Sequence, residues 1–224
     1  MADIHLRFNK DMLVLSSPIE AELARVGVNV EDDWAYMLMF EPELLDDAYK
    51  LEATAGAQCM VADTARLTPL SLRKANMLDA APEMVKHAMA AADAVNPQHV
   101  LVEIGPCGLP LDVSSKASLV ENRDQYSRAA KLFVDAEFDA FFLNGFRRIG
   151  DLKCALMGIR KVSDVPIFAS VDVDAQGYLL SPSSNSSATP ERLEDAVLAM
   201  QELGADVCGF ATDAEVADIV ACID

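Results

Sequence analysis

The chain has 224 residues, 52% hydrophobic and 24% charged, enough for one large domain with a real core and no need of a second. Its 18 basic residues stand against 36 acidic ones, and the formal charge of −18 repels phosphate backbones and anionic lipid head groups. Nucleic acid and membrane surfaces are therefore excluded as expected partners. No apolar run reaches the length of a membrane span, and Met1 to Lys10 carries Asp3, His5 and Arg7 where a signal peptide needs an apolar core. Five cysteines, an odd number without a Cys-x-x-Cys pair, argue against a disulfide framework and a sequence-local zinc clamp. The expectation is a cytoplasmic protein.

Met12-Leu13-Val14-Leu15 reads as a first strand ending at Ser16-Ser17-Pro18, with a helix from Glu20 to Arg25 and an ambiguous stretch over Asp32 to Phe40. Glu41-Pro42-Glu43 opens a helix whose apolar stripe is Leu44, Leu45, Ala48 and Leu51, and Gly56 ends it. A second strand runs to Asp63. Thr68-Pro69 and Ala81-Pro82-Glu83 each start a helix, the latter presenting Met84, Val85, Ala88 and Met89 before Asn96-Pro97 stops it. The third strand, His99 to Ile104, breaks at the turn Gly105-Pro106-Cys107-Gly108.

From Ser118 a long helix carries Tyr126, Ala129, Ala130, Phe133 and Val134 at helical spacing up to the fourth strand, which ends at Asn144. A helix over Asp151 to Arg160 leads to a fifth strand, Val165 to Asp172. Ser181 to Ser187 is low in complexity and follows a strand's C-terminal end, so it is a lid candidate or a plain surface loop. Thr189-Pro190-Glu191 then caps a helix with Leu193, Ala196, Val197, Met200 and Leu203 facing inward, a sixth strand ends at Ala211-Thr212, and Ala214 to Ile223 is a last helix.

Three of these passages share one form: a helix ends, a Gly-Ala-Asp-like step turns the chain, and an apolar strand stops on a polar side chain. They are Gly56-Ala57-Gln58-Cys59-Met60-Val61-Ala62-Asp63, Glu137-Phe138-Asp139-Ala140-Phe141-Phe142-Leu143-Asn144, and Gly204-Ala205-Asp206-Val207-Cys208-Gly209-Phe210-Ala211. Repetition of this kind builds a parallel α/β sheet whose strand ends face the usual ligand site. The expected class is a TIM-barrel-like parallel (β/α) fold with about six of the eight βα units. Six open parallel strands leave unpaired edges, so either self-association into a homo-oligomer or a partner subunit completing the barrel is expected.

In order along the chain, Gly56-Ala57…Asp63-Thr64, Ile104-Gly105-Pro106, Phe138-Asp139…Asn144, Val165-Pro166-Ile167-Phe168-Ala169-Ser170 and Gly204-Ala205-Asp206-Val207-Cys208-Gly209 resemble the homocysteine S-methyltransferase family. That family includes the homocysteine-binding barrel of cobalamin-dependent methionine synthase and the betaine-dependent enzyme. The resemblance implies a single domain over 1–224 without the last two βα units, and methyl transfer to a thiol such as homocysteine, possible only with a partner if the missing units are needed. The other implied reading is a non-catalytic barrel protein that binds a small-molecule ligand or scaffolds an oligomer.

Family members hold zinc on three cysteine thiolates, because coordination strips the thiol's proton and fixes the sulfur for attack. Here the first zinc cysteine is replaced by Thr212, and the Gly-Gly-Cys-Cys motif has no counterpart, so no cofactor is identifiable. The family's second-strand glutamate is Val61, its asparagine is Asp63, and its fourth-strand glutamate is Asn144. The resemblance places Ser16, Ser17, Asp63, Thr64, Glu103, Asn144, Asp172 and Thr212 at the barrel mouth, with Glu20 beside them, as candidate substrate contacts. Against this stands the plainer reading of strand-end polar groups satisfied by loop amides and water.

Cys107, in a glycine-proline turn, is a candidate for exposure and for a thiol or metal ligand, with an incidental turn cysteine as the preferred reading, while Cys59, Cys154 and Cys208 read as core residues. A zinc site from Cys107, Cys222 and carboxylates would have no spacing signature. His5, His87 and His99 are scattered, and none reads as catalytic.

Overall fold

The computed structural model describes residues 3–8, 10–181, 190–215, 217, 218 and 220. The lid candidate beyond Ser181, the cap residue Thr189, Cys222 and the end of the last predicted helix lie outside the described residues. Five strands follow in the sheet order β1-β2-β3-β4-β5: Cys59–Ala62, His99–Ile104, Ala140–Phe146, Ile167–Asp172 and Val207–Ala211. Helices alternate with them, and the chain has the parallel, TIM-barrel-like α/β order. The residues cluster into two compact units, Met1–Ile104 with Arg128–Phe141, and Gly105–Ser127 with Phe142–Asp224.

In the first unit, α1 (Glu20–Arg25), α2 (Val30–Phe40), α3 (Leu44–Ala55), α4 (Pro69–Lys74) and α5 (Ala81–Asp93) surround β1 and β2. The ambiguous stretch is helical because Asn29 caps α2, accepting from the Glu31 amide, and Glu31, Asp32 and Asp33 favour the positive end of its dipole. Thr68 caps α4 in the same way, accepting from the Ser71 amide, with Pro69 in the first turn. Gly56 ends α3 at a φ of 102°, a left-handed conformation that glycine adopts without a Cβ penalty.

Two expectations fail here. Leu51 is 55% exposed, and the buried face of α3 is Leu45, Ala48 and Tyr49. The first strand shrinks to one parallel bridge, Leu15 to Cys59, with Met12 and Val14 exposed. The ladder stops because the Ser16 hydroxyl, not a backbone carbonyl, takes the Val61 amide at 2.9 Å, and Pro18 follows.

In the second unit, α7 (Ile149–Arg160) and α8 (Leu193–Glu202) accompany β4 and β5, and α6 (Lys116–Lys131) contributes its first twelve residues. β4 is buried along nearly its whole length, as a parallel strand covered on both faces should be. Gly158 lets α7 approach α6 closely: a Cβ there would lie 2.4 Å from the Arg123 carbonyl oxygen. Tyr126 and Phe146 pack with ring centroids 5.9 Å apart. Val134, expected on the buried face at the end of the long helix, is 77% exposed because α6 has already ended at Lys131.

Candidate functional site

The C-terminal end of β1 is held by hydroxyl groups. Tyr49 is fully buried on α3; its phenol donates to the Val61 carbonyl at 3.0 Å and accepts from the Asp63 amide at 2.9 Å. Thr64, also buried, donates to the Ala62 carbonyl at 3.2 Å and to the Glu103 carbonyl at 2.8 Å, tying the end of β1 to the end of β2. Ser16 is used up by the Val61 amide, and Ser17 is exposed, with its amide and hydroxyl both donating to the Glu52 carboxylate. Of the expected contacts, Ser16, Ser17 and Thr64 thus have structural partners.

Asp63 differs. Its backbone amide is anchored by Tyr49, but its half-buried carboxylate accepts no hydrogen bond among the described residues. Burial pushes its pKa up to about 6; the Arg66 guanidinium pulls it down, and the Glu20 carboxylate pushes it up. Arg66 is itself engaged by Glu20 at 2.8 Å, which limits the relief it offers Asp63. A carboxyl poised near neutrality at a strand end is a chemically competent proton acceptor.

In the second unit the strand ends are held by charges and amides. The Asn144 side-chain oxygen accepts from the Ser170 hydroxyl at 3.0 Å, and the Asp172 carboxylate pairs with Arg147 Nε at 2.9 Å. Thr212 is half-buried, and its hydroxyl closes a turn by accepting from the Ala214 amide at 3.1 Å. At the start of α7 the Glu191 carboxylate accepts from the Ile149 amide at 2.9 Å, satisfying one of the helix's open donors. Asp151 in that first turn is raised by burial, lowered by Arg148 and raised by Glu191.

Sequence reasoning missed Tyr49, Arg66, Ser170, Arg147, Asp151 and Glu191. Tyr49 had a legible signal: at the position four after Leu45 it falls on the buried face, and a buried phenol needs hydrogen-bond partners. Asp151 read only as the start of a helix, with no hint of burial.

Cys107 is not the exposed thiol that its turn allowed. It is 4% exposed, because its amide is held by the Tyr126 hydroxyl at 3.1 Å and its Sγ lies 3.7 Å from the Asn122 oxygen, which folds the loop onto α6. Burial raises the thiols of Cys107, Cys154 and Cys208, and it pushes Cys59 up to about 11. None has the lowered pKa of a nucleophilic or metal-binding thiolate. Cys208 is half-buried and faces a groove beside α8, so it is not the enclosed core residue that the sequence suggested.

Residues 13–220 match the model of the family described as homocysteine S-methyltransferase. The chain belongs to the homocysteine S-methyltransferase family. Its fold is that of the Escherichia coli homocysteine methyltransferase MmuM: the metallated form superposes with a TM-score of 0.68 at 16% identity, covering 97% of this chain and 98% of that one. The oxidized form gives 0.67 at 17% over 97% of each chain, and the apo form 0.65 at 19% over 92% of this chain and 75% of that one. No curated protein matches in sequence.

The family's zinc does not fit this donor set. The Thr212 hydroxyl is already committed to a turn, and burial raises the thiols of all four described cysteines. Among the described residues no group of three or more His, Cys, Asp or Glu is placed to hold a metal ion.

Proposed function

We propose that this chain transfers a methyl group to the thiol of a small amino-acid acceptor such as homocysteine, with Asp63 as the proton acceptor. The observation that carries the reading is Asp63 itself: a strand-end carboxylate in a member of a methyltransferase family, half-buried, without a hydrogen-bond donor among the described residues and raised to about 6. The acceptor's S–H proton passes to the Asp63 carboxylate. The sulfur's electron pair then attacks the donor's methyl carbon, and the bond between that carbon and the donor breaks, its pair leaving with the donor.

A methylsulfonium donor suits an acidic chain, because a charge of −18 raises the local concentration of a cation. In this reading the acceptor's ammonium group lies against Glu103, and Asn144, Asp172 and Thr212 remain candidate contacts on their own unit. A cytoplasmic setting is supported by the free thiols of the described cysteines and by the lack, among the described residues, of a helix long and apolar enough to cross a membrane.

The test is methionine formation from homocysteine and a methylsulfonium donor after exhaustive chelation. The wild-type chain is expected to turn over, at a rate that rises as pH increases through about 6, when Asp63 loses its proton. Asp63→Asn is expected to lower kcat by about 10²–10⁴. Turnover that requires added zinc, or an unaltered rate in the variant, would refute the role of Asp63. The replacement of the zinc cysteine by Thr212 favours a second reading, a ligand-binding barrel without catalysis. Homocysteine binding by calorimetry with no turnover from any methyl donor would decide for it.

A further inference from the structure

β5 has the composition of a central strand and the surroundings of an edge. Val207-Cys208-Gly209-Phe210-Ala211 is apolar throughout, as expected of a parallel strand covered on both faces, yet its first four residues are only half-buried and Ala211 is exposed. It pairs in parallel with β4, from Phe168 opposite Val207 to Asp172 opposite Ala211, and it stands last in the sheet order. Three common protections of an edge are missing from the strand itself: it has no lysine and no proline, and its ladder to β4 runs without a bulge.

Beside it, Leu193, Val197 and Leu198 of α8 and Cys208 and Phe210 of β5 line an open groove of about 690 Å³. Leu198 is 57% exposed, and a Cβ added at Gly209 would meet nothing nearer than the Ala169 carbonyl oxygen at 4.0 Å, so another backbone can approach the strand closely here.

The charge around the groove selects its occupant. Glu194 lines it, and Asp195, Glu202, Asp213 and Glu215 are exposed on the same helix or on the segments that flank β5. Arg192 is the sole basic residue in 191–220, and Glu194 engages it at 3.1 Å. A second copy would bring an identical acidic rim and another charge of −18 against the first, which is self-repelling.

We propose that β5 and the α8 groove are a docking edge for a partner polypeptide that adds an apolar strand to β5 and carries lysine or arginine on its flanks. Backbone hydrogen bonds to the open edge supply affinity, the apolar side chains enter the groove, and the basic flanks meet the acidic rim. The proposal goes beyond the methyl-transfer reading and does not depend on it.

The probe is a labelled synthetic peptide with a valine-isoleucine centre between lysines, titrated against the full chain by fluorescence anisotropy. We expect saturable binding that weakens as salt rises, together with new hydrogen-exchange protection of the Val207–Ala211 amides. Leu198→Ser and Phe210→Ser are each expected to weaken binding on the order of tenfold, as for anchors at the centre of an interface. Leu198→Ser lies on an exposed helix face and leaves folding intact if the strand variant does not. Two control peptides, one with the same lysines around a glycine-serine centre and one with the apolar centre between glutamates, are expected not to bind. Failure of the lysine peptide to bind, or equal binding by either control, overturns the proposal. A stable dimer in sedimentation whose β5 amides are already protected also overturns it, assigning the edge to a second copy.

Discussion

The first unit closes its strand ends with neutral hydroxyls, whereas the second closes them largely with charges. In the first, the phenol of Tyr49 and the hydroxyls of Ser16 and Thr64 satisfy the backbone at the end of β1 and leave the Asp63 carboxylate with no donor among the described residues. In the second, Arg147 takes Asp172, Glu191 takes the first amide of α7, and Arg148 faces Asp151. Hydroxyls meet the demands of a buried backbone without altering charge, so burial dominates at the remaining carboxylate, Arg66 offsets it only in part, and the group titrates near neutrality. Arg147 engages Asp172 directly, whereas Asp151 beside Arg148 stays raised by burial. Polar strand ends therefore differ in chemical availability, and availability depends on the neighbour.

The comparison is broken most severely at Tyr49. Tyr49→Phe leaves the Val61 carbonyl and the Asp63 amide without their partner in a buried setting, and a loss of about 3 kcal/mol is expected in urea unfolding, insensitive to salt. A loss that shrinks with salt would mean that charge, not the hydroxyl, holds this end.

Asp63→Asn sharpens the comparison with a change of opposite sign. The folded carboxyl binds its proton more tightly than the unfolded one, about 6 against about 3.9, so its contribution to stability is complete below about pH 4 and is lost as pH rises through 6. The variant, which has no ionisation to suppress, is expected to be more stable than wild type by about 2 kcal/mol at pH 8, with the gap closing at pH 4. Thermal denaturation across that range checks it, and the same substitution that stabilises is the one expected to slow turnover.

The smallest effect belongs to the second unit. Arg147 is 56% exposed, so Arg147→Ala is expected to cost under about 0.5 kcal/mol at low salt and nothing measurable at high salt.

Much of the fold was legible because it rests on local periodicity. The strand His99 to Ile104 has the bounds read from sequence, and the turn at Gly56 is the left-handed cap that a glycine after an apolar stripe implies. Local signals failed where a distant group intervened. Met12 to Leu15 has strand composition, but Ser16 intercepts the next ladder bond, and only one bridge forms. Cys107 sits in a turn that composition places at the surface, yet Tyr126 and Asn122, some fifteen to nineteen residues later, draw it inside.

The candidate site divides in the same way. Asp172 closes β4 as expected, whereas Asn144 lies inside β3, which runs on to Phe146, and nothing in the sequence ranks Ser16, Thr64 and Asp63, which are all short polar residues near the ends of apolar runs. Their difference is a matter of who donates to them, and Tyr49, Arg66 and Glu20 are brought near only by packing.

By itself the sequence determined the class of fold and the family, because periodicity, turn residues and residue identity are properties of the chain. Only the tertiary structure decided that Asp63 is left open while Ser16 and Thr64 are consumed, and that apolar β5 lies half uncovered. Hydrogen-bond satisfaction and burial are relations between residues far apart in the chain, and no local pattern encodes them.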